Sequence, residues 1–319
     1  MNDRIQIAKE RSLYLQKVRD FFNSQDFLEV ETPIMTAAPG MEPHLNPFET
    51  SLRTPDRRDH KMYLNTSPEL QMKKLLGEGF CNIFNITKVF RNGEIGGPGH
   101  NPEFTMLEWY RTDANYKNLM QDCEDFISAL TDKYPKPWRR ISVHQLFLEH
   151  CEIELLDNKD FDTFKATAEK RGYSTAGCDS WDDIFFKIFL NGIEPKLEEM
   201  GAVIVQDYPA SQAALAKKSE HNPFWAERFE LYLDGIEIAN AFSELIDPAE
   251  QKERLEQEQE ERRQMGKPVF PIDREFLTAL GKIKVPCAGI ALGIDRLLML
   301  LLDKRSIEDV LLFPTNSMI

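Results

Sequence analysis

Residues 100–111 read HNPEFTMLEWYR. The run is apolar and aromatic enough to be buried, yet it carries Glu103, Glu108 and Arg111. Side chains in a strand alternate between faces. Phe104, Met106, Glu108 and Tyr110 therefore share one face, and Glu103, Thr105, Leu107, Trp109 and Arg111 share the other. A carboxylate on an apolar floor is costly unless a cation or hydrogen-bond donors meet it. Two readings of Glu108 follow. It forms an internal ion pair, with Arg91 or Arg111, or it lines a pocket for a positively charged ligand.

Four other groups have residue types that could do chemistry. Arg91 ends a strand beside the glycine-rich GEIGGPG, where it can clamp a phosphate bidentately; Phe104, beyond that loop, offers a flat face for a base. Glu237 and Glu244, in EIANAFSEL, have opposite strand parity and face one site only if the strand ends or bulges between them. Two carboxylates converging on triphosphate oxygens can hold magnesium. Residues 289–296, GIALGIDR, put small residues on one strand face, so something approaches that face closely. Arg296 then falls in the first helical turn, where phosphate is favoured. Ser67–Pro68–Glu69 opens a helix. Each group also has a plainer reading: a surface arginine, one buried and one solvated glutamate, a tight strand–helix junction, and an ordinary helix cap.

The elements that must position these residues are legible in outline. Residues 4–24 form an amphipathic helix with Ile7, Leu13, Leu15, Val18, Phe21 and Phe22 on its apolar stripe. FLEVETPIM is extended, and 36–60 reads as a long loop. NIFNITKVFRN and the opening stretch form a hairpin with an oversized glycine-rich tip. Helices are expected over 116–130 and 159–170, within or beside a helical insertion at about 139–200 that carries no chemical motif. GAVIVQDYP is a buried strand, and Asp234–Gly235 joins two more. Residues 247–268 form a charged helix that reads as a solvated face. CAGIALGIDRLLMLLLD is strand, turn and helix. Antiparallel hairpins followed by helices point to an α+β fold.

The 319 residues, 42% hydrophobic and 29% charged, suffice for one large globular domain. No run is long and apolar enough to span a membrane, and the charged N-terminus lacks a signal-peptide core. Five scattered cysteines indicate neither a disulfide framework nor a zinc site and fit the cytoplasm. A net charge of −14 argues against non-specific nucleic-acid binding.

FLEVETP, the strand ending in FRN with its loop to HNPEF, and the glycine strand running into DR together resemble the three motifs of class II aminoacyl-tRNA synthetases. TSPELQMKKLL, VFRN, HNPEFTMLEWY, EIANAFSEL and ALGIDRLLML are similar to the lysyl-tRNA synthetase catalytic domain, over nearly the whole chain outside 139–200. The first motif begins by residue 27, which leaves no room for an anticodon-binding domain before it. With QDYPASQAALA and alanine in the last motif, the chain resembles the elongation factor P lysyltransferase family, which attaches β-lysine to a lysine of that factor.

The resemblance implies a single class II catalytic domain over 1–319, an antiparallel sheet flanked by helices, and a homodimer built by the first motif. It implies ATP as substrate, magnesium, lysine or β-lysine, and elongation factor P as acceptor in place of tRNA. By position, Glu108 and Tyr110 hold the distal ammonium. Ser67, Pro68, Glu69, Glu244 and Ala291 shape the rest of the amino-acid site. Arg91 and Arg296 carry the chemistry on the phosphates. Asn92, Gly93, Glu94, Asn101, Phe104, Glu237, Ile238 and Gly293 complete the nucleotide site, with Glu237 and Glu244 on the metal. The order Arg91–Asn92–Gly93–Glu94 has one residue more than the family's arginine–asparagine–glutamate, so Gly93 and Glu94 compete for one role. Ala239 and Ala291 replace glycines of lysyl-tRNA synthetases, while Ala241 and Ser243 depart from the lysyltransferase glycine and histidine. A synthetase-like enzyme with another acceptor and a non-catalytic amino-acid sensor are the rival readings.

Overall fold

The computed structural model describes residues 3–318. Helix α1 (Asp3–Ser24) leads into strands β1 (Leu28–Glu29) and β2 (Met35–Thr36). Strands β3 (Glu49–Arg53) and β4 (Asp59–Leu64), helix α2 (Glu69–Gly77), and strands β5 (Ile83–Phe90) and β6 (Glu103–Thr112) follow. After α3 (Tyr116–Leu130) come β7 (Arg139–Ser142), α4 (Val143–Cys151), α5 (Phe161–Lys170), α6 (Trp181–Ile188), α7 (Glu194–Leu197) and β8 (Ala202–Gln206). The chain closes with β9 (Arg228–Leu233), β10 (Ile236–Ser243), α8 (Pro248–Gln264), α9 (Arg274–Leu280), β11 (Cys287–Gly293) and α10 (Ile294–Leu301).

Eight strands form one sheet in the order β1-β5-β6-β11-β10-β9-β8-β7, antiparallel except for the outer pairs β1–β5 and β7–β8. This is the expected α+β arrangement. One face carries the main core, where Phe22 of α1 packs among Phe84, Trp109 and Phe126. The odd-numbered side chains of β6 go to that face: Leu107 and Trp109 are fully buried there. The other parity, with Glu108, is left for the opposite face.

Three expectations need correction. The loop at 36–60 contains a second, three-stranded sheet, β2-β4-β3. Strand β3 is exposed along its whole length, so no apolar alternation marks it. The charged helix α8 is not merely solvated: Gln251, Leu255, Glu258 and Arg262 form a buried stripe at helical spacing. Three of the four are polar, which hid the stripe. The region at 139–200 is mostly helical but opens with β7, which pairs with β8. Its helices share a core with Val203, Val205 and Tyr232 of the sheet.

Candidate active site

A cavity of about 420 Å³ opens on the face of the sheet opposite the main core. Its floor is β6 and β11. Ala291 pairs with Glu108, Gly289 with Tyr110 and Gly293 with Met106. The small residues of β11 thus lie beside the long ones of β6, and the missing side-chain volume is the cavity. Gly289 cannot be larger: a Cβ there would fall 2.2 Å from the Tyr110 ring and 2.5 Å from Oε1 of Glu244.

At one end of the cavity, acidic groups collect. Ser67 Oγ donates to Glu108 Oε1 at 2.5 Å, and Tyr110 Oη donates to Glu108 Oε2 at 3.2 Å. Ser67 also accepts from the Glu69 N–H at 3.0 Å, so it serves the helix start as well. Neither arginine considered from the sequence reaches Glu108. Arg111 is on the other face, bound to Asp122 at 2.7 Å, and Arg91 lies against Thr66 O and Glu94. Burial, then the charge of Glu69, pushes the Glu108 carboxyl from 4.5 up to about 8.

Lys73 is fully buried beside this group, with Nζ 2.5 Å from Glu69 Oε1 and 2.5 Å from Glu244 Oε2. Burial opposes its charge, but Glu244 and Glu69 outweigh that and raise its pKa. The other oxygen of Glu244, Oε1, is buried without a hydrogen-bond partner. Burial drives Glu244 up to about 8. Glu69 and Glu244 therefore share one ammonium, whose charge also reaches Glu108.

At the other end the sign reverses. Arg296 Nε donates to Gly99 O and Nη1 to Glu237 O, each at 3.0 Å. Its Nη2 is 3.1 Å from His100 Nε2. Arginine only donates, so His100 accepts with a neutral ring, and burial followed by the Arg296 charge depresses its pKa. Arg91 lies 5.2 Å from the centroid of the Phe104 ring, covering one of its faces. Asp295, in contrast, is tied into the fold by Arg11 at 2.5 Å and the Thr105 N–H at 2.6 Å.

Ser67, Glu69, Arg91, Glu94, Asn101, Phe104, Glu108, Tyr110, Glu237, Ile238, Ala291, Gly293 and Arg296 all line the cavity. Pro68, Asn92, Gly93 and Glu244 do not. Pro68 stands at the start of α2. Gly93 supplies a turn at φ +92° while Glu94 faces the cavity, which separates the two competitors. The Asn101 side chain donates to Glu103 O at 2.6 Å and accepts from the Thr315 N–H at 2.9 Å, which fixes its orientation at the cavity wall.

The pairing of Glu237 with Glu244 on one metal is not supported by this geometry. Strand β10 does bulge, between Glu237 and Ala239, which brings both carboxylates to one face. They nevertheless sit at opposite ends of the strand, roughly 20 Å apart at about 3.3 Å per residue, and only Glu237 lines the cavity. The carboxylate that acts on Glu237 is Glu230 of the neighbouring strand; burial and then Glu230 push Glu237 up to about 7. Glu230 itself is held by Arg228 at 2.6 Å, Tyr208 at 2.5 Å and Tyr232 at 2.7 Å. Among the described residues, no three His, Cys, Asp or Glu side chains form a metal cluster.

The family model for tRNA synthetases class II (D, K and N) matches residues 2–317. This chain belongs to the class II tRNA synthetases. Curated relatives named elongation factor P–(R)-beta-lysine ligase are similar over nearly their full length. The protein from Salmonella typhi is 40% identical over 96% of this chain and 94% of its own. That from Pectobacterium carotovorum is also 40% identical, and that from Hamiltonella defensa 38%, with the same coverage.

In this class II synthetase, sequence reasoning missed Lys73, Glu230 and Glu42. Lys73 had a signal, its i,i+4 spacing from Glu69. Glu230 lies on the hairpin partner of Glu237 and needed the register across Asp234–Gly235. Glu42 comes from the loop after β2 and had no local signal.

Proposed function

We propose that this enzyme joins a lysine-type amino acid, (R)-β-lysine by preference, to ATP as an aminoacyl-adenylate and transfers it to a lysine side chain of elongation factor P. The observation that carries the reading is Glu108: a buried carboxylate met only by uncharged donors, at the acidic end of a cavity whose other end is lined by arginines. Such a bipolar site suits a zwitterion with a distal ammonium at Glu108 and Tyr110, with the buried Glu244 behind them. Its carboxylate then lies toward Arg91.

ATP fits the basic end. Phe104 and Asn101 take the base, Arg91 the α-phosphate and Arg296 the terminal phosphates. Glu237 and Glu230 lie on the paired strands β10 and β9, Glu237 at the cavity 3.8 Å from Arg296, and these two carboxylates would hold magnesium, which would neutralise triphosphate charge when bound. The substrate carboxylate attacks the α-phosphorus and pyrophosphate leaves. The acceptor amine, once neutral, then attacks the acyl carbon and AMP leaves. The chain contributes positioning and charge neutralisation. Cys287, beside Glu244, is no nucleophile, because burial and that carboxylate keep its thiol protonated.

A homodimer formed through α1, β1 and β2 is supported by exposed Leu13, Leu28, Ile34 and Met35 on that side of the fold. A protein acceptor is supported over tRNA by the net charge of −14, and a translation factor as acceptor supports a cytoplasmic location. Of the described helices, none is long and apolar enough to cross a membrane.

The activation step is tested by exchange of labelled pyrophosphate into ATP with magnesium. Exchange is expected with β-lysine and more weakly with α-lysine. Equal exchange with leucine or glutamate, or none with any diamino acid, contradicts the assignment.

A further inference from the structure

A lysine-type substrate has a second amine, next to its reacting carboxylate, and the acidic end of the cavity accounts only for the distal one. Two carboxylates lie between that end and Arg91. Glu69 is one, and its Oε1 is taken by Lys73 at 2.5 Å. Glu42 is the other. It lines the cavity, and its Oε2 is buried without a hydrogen-bond partner. The groups whose charges reach it are Glu69 and Lys73 of α2, Arg91 at the end of β5, and Glu258 and Arg262 of α8.

The loop that carries Glu42 is held as a fixed seat. Arg262 of α8, fully buried, donates through Nη1 to Glu42 O and Leu45 O, each at 2.9 Å, and through Nε to Pro268 O at 2.7 Å. Lys267 Nζ donates to Pro43 O at 2.8 Å. The flanking Met41 is 3% exposed. The carboxyl folds back over Gly40, where a Cβ would fall 2.3 Å from Oε2. The hydrogen bonds of Arg262 and Lys267 all go to backbone carbonyls, and Oε2 of Glu42 is left without one. Burying an acceptor without a partner is costly, and a substrate ammonium supplies the missing donor.

We infer that Glu42 is a specificity-determining residue that binds the amine nearest the substrate carboxylate, so that the enzyme distinguishes a diamino acid from an ω-amino acid. The inference rests on the lysine-type reading of the cavity. It explains why α8 buries an arginine whose bonds all go to backbone carbonyls of the loop and of Pro268: the helix sets the position of the loop, and the loop sets the position of the carboxylate.

The test compares Glu42→Gln, Glu42→Asp and the parent in pyrophosphate exchange, with β-lysine, α-lysine and 6-aminohexanoate as substrates. The last has the carboxylate and distal ammonium but no second amine. Glu42→Gln is expected to raise KM for the diamino acids by about 10-fold or more, the scale of one hydrogen bond to a charged group. The ratio of their kcat/KM to that of 6-aminohexanoate should fall by the same factor, and Glu42→Asp should restore part of it. An equal loss on all three substrates, or no change in the ratio, overturns the inference, because a merely structural role gives the first and no role the second. If the parent enzyme activates none of the three, the failure lies with the lysine-type reading itself.

Discussion

Replacing Glu108 with glutamine should weaken binding of β-lysine by about 2–5 kcal/mol, the range for removing one partner of a buried charge pair. Glutamine keeps the shape and can still bond to Ser67 and Tyr110, so the loss reads the charge alone. Isothermal titration of the parent and variant, without ATP, checks it. Equal affinities would make Glu108 a structural residue satisfied by its two hydroxyls. The raised carboxyls of Glu108 and Glu244, both near 8 without substrate, add a pH signature. An ammonium binds their ionised forms, so affinity should climb from pH 6 to about 8.5 and then level off. The same groups make the free enzyme bind more protons folded than unfolded between their ordinary 4.5 and about 8. Stability without substrate should therefore fall as pH rises through that window, and β-lysine should raise Tm more at pH 8 than at pH 6.

Arg296→Ala should lower the rate of pyrophosphate exchange by roughly 100-fold, corresponding to about 3 kcal/mol of lost charge contact in the transition state. The arginine also ties Gly99 and His100 of the glycine-rich loop to Glu237, so KM for ATP should rise as well. Binding of β-lysine alone should change little, because the acidic end is built from other elements. A variant with unaltered exchange kinetics would remove Arg296 from the phosphate site.

The contrast between these two residues shows what was readable in the sequence. Glu108 announced itself because its strand is apolar and period-2 parity alone placed it with Phe104, Met106 and Tyr110. Arg296 announced itself through the strand–turn–helix around Gly293. Both depend on one element each. The carboxylates proposed for magnesium did not, because their placement requires the register of β10 against β9 and a bulge at Glu237, and neither follows from spacing. Spacing alone favoured Glu244, whose actual neighbours are Lys73, Tyr110 and Gly289. The second sheet escaped notice because β3 buries nothing, and the structural role of α8 because its buried stripe is mainly polar. Glu42 was invisible for a third reason: its loop is held by Arg262, 220 positions away in the chain.

The most direct measurement is the intact mass of purified elongation factor P after incubation with the enzyme, ATP, magnesium and β-lysine, run beside charging of lysine tRNA at matched concentration and salt. The account predicts a mass increase of one β-lysyl group on a single lysine of the factor, far faster than any charging of tRNA, with a rate that rises with pH as the acceptor amine becomes neutral. Charging of tRNA as fast as the protein or faster, or an unmodified factor under conditions that support pyrophosphate exchange, would contradict it.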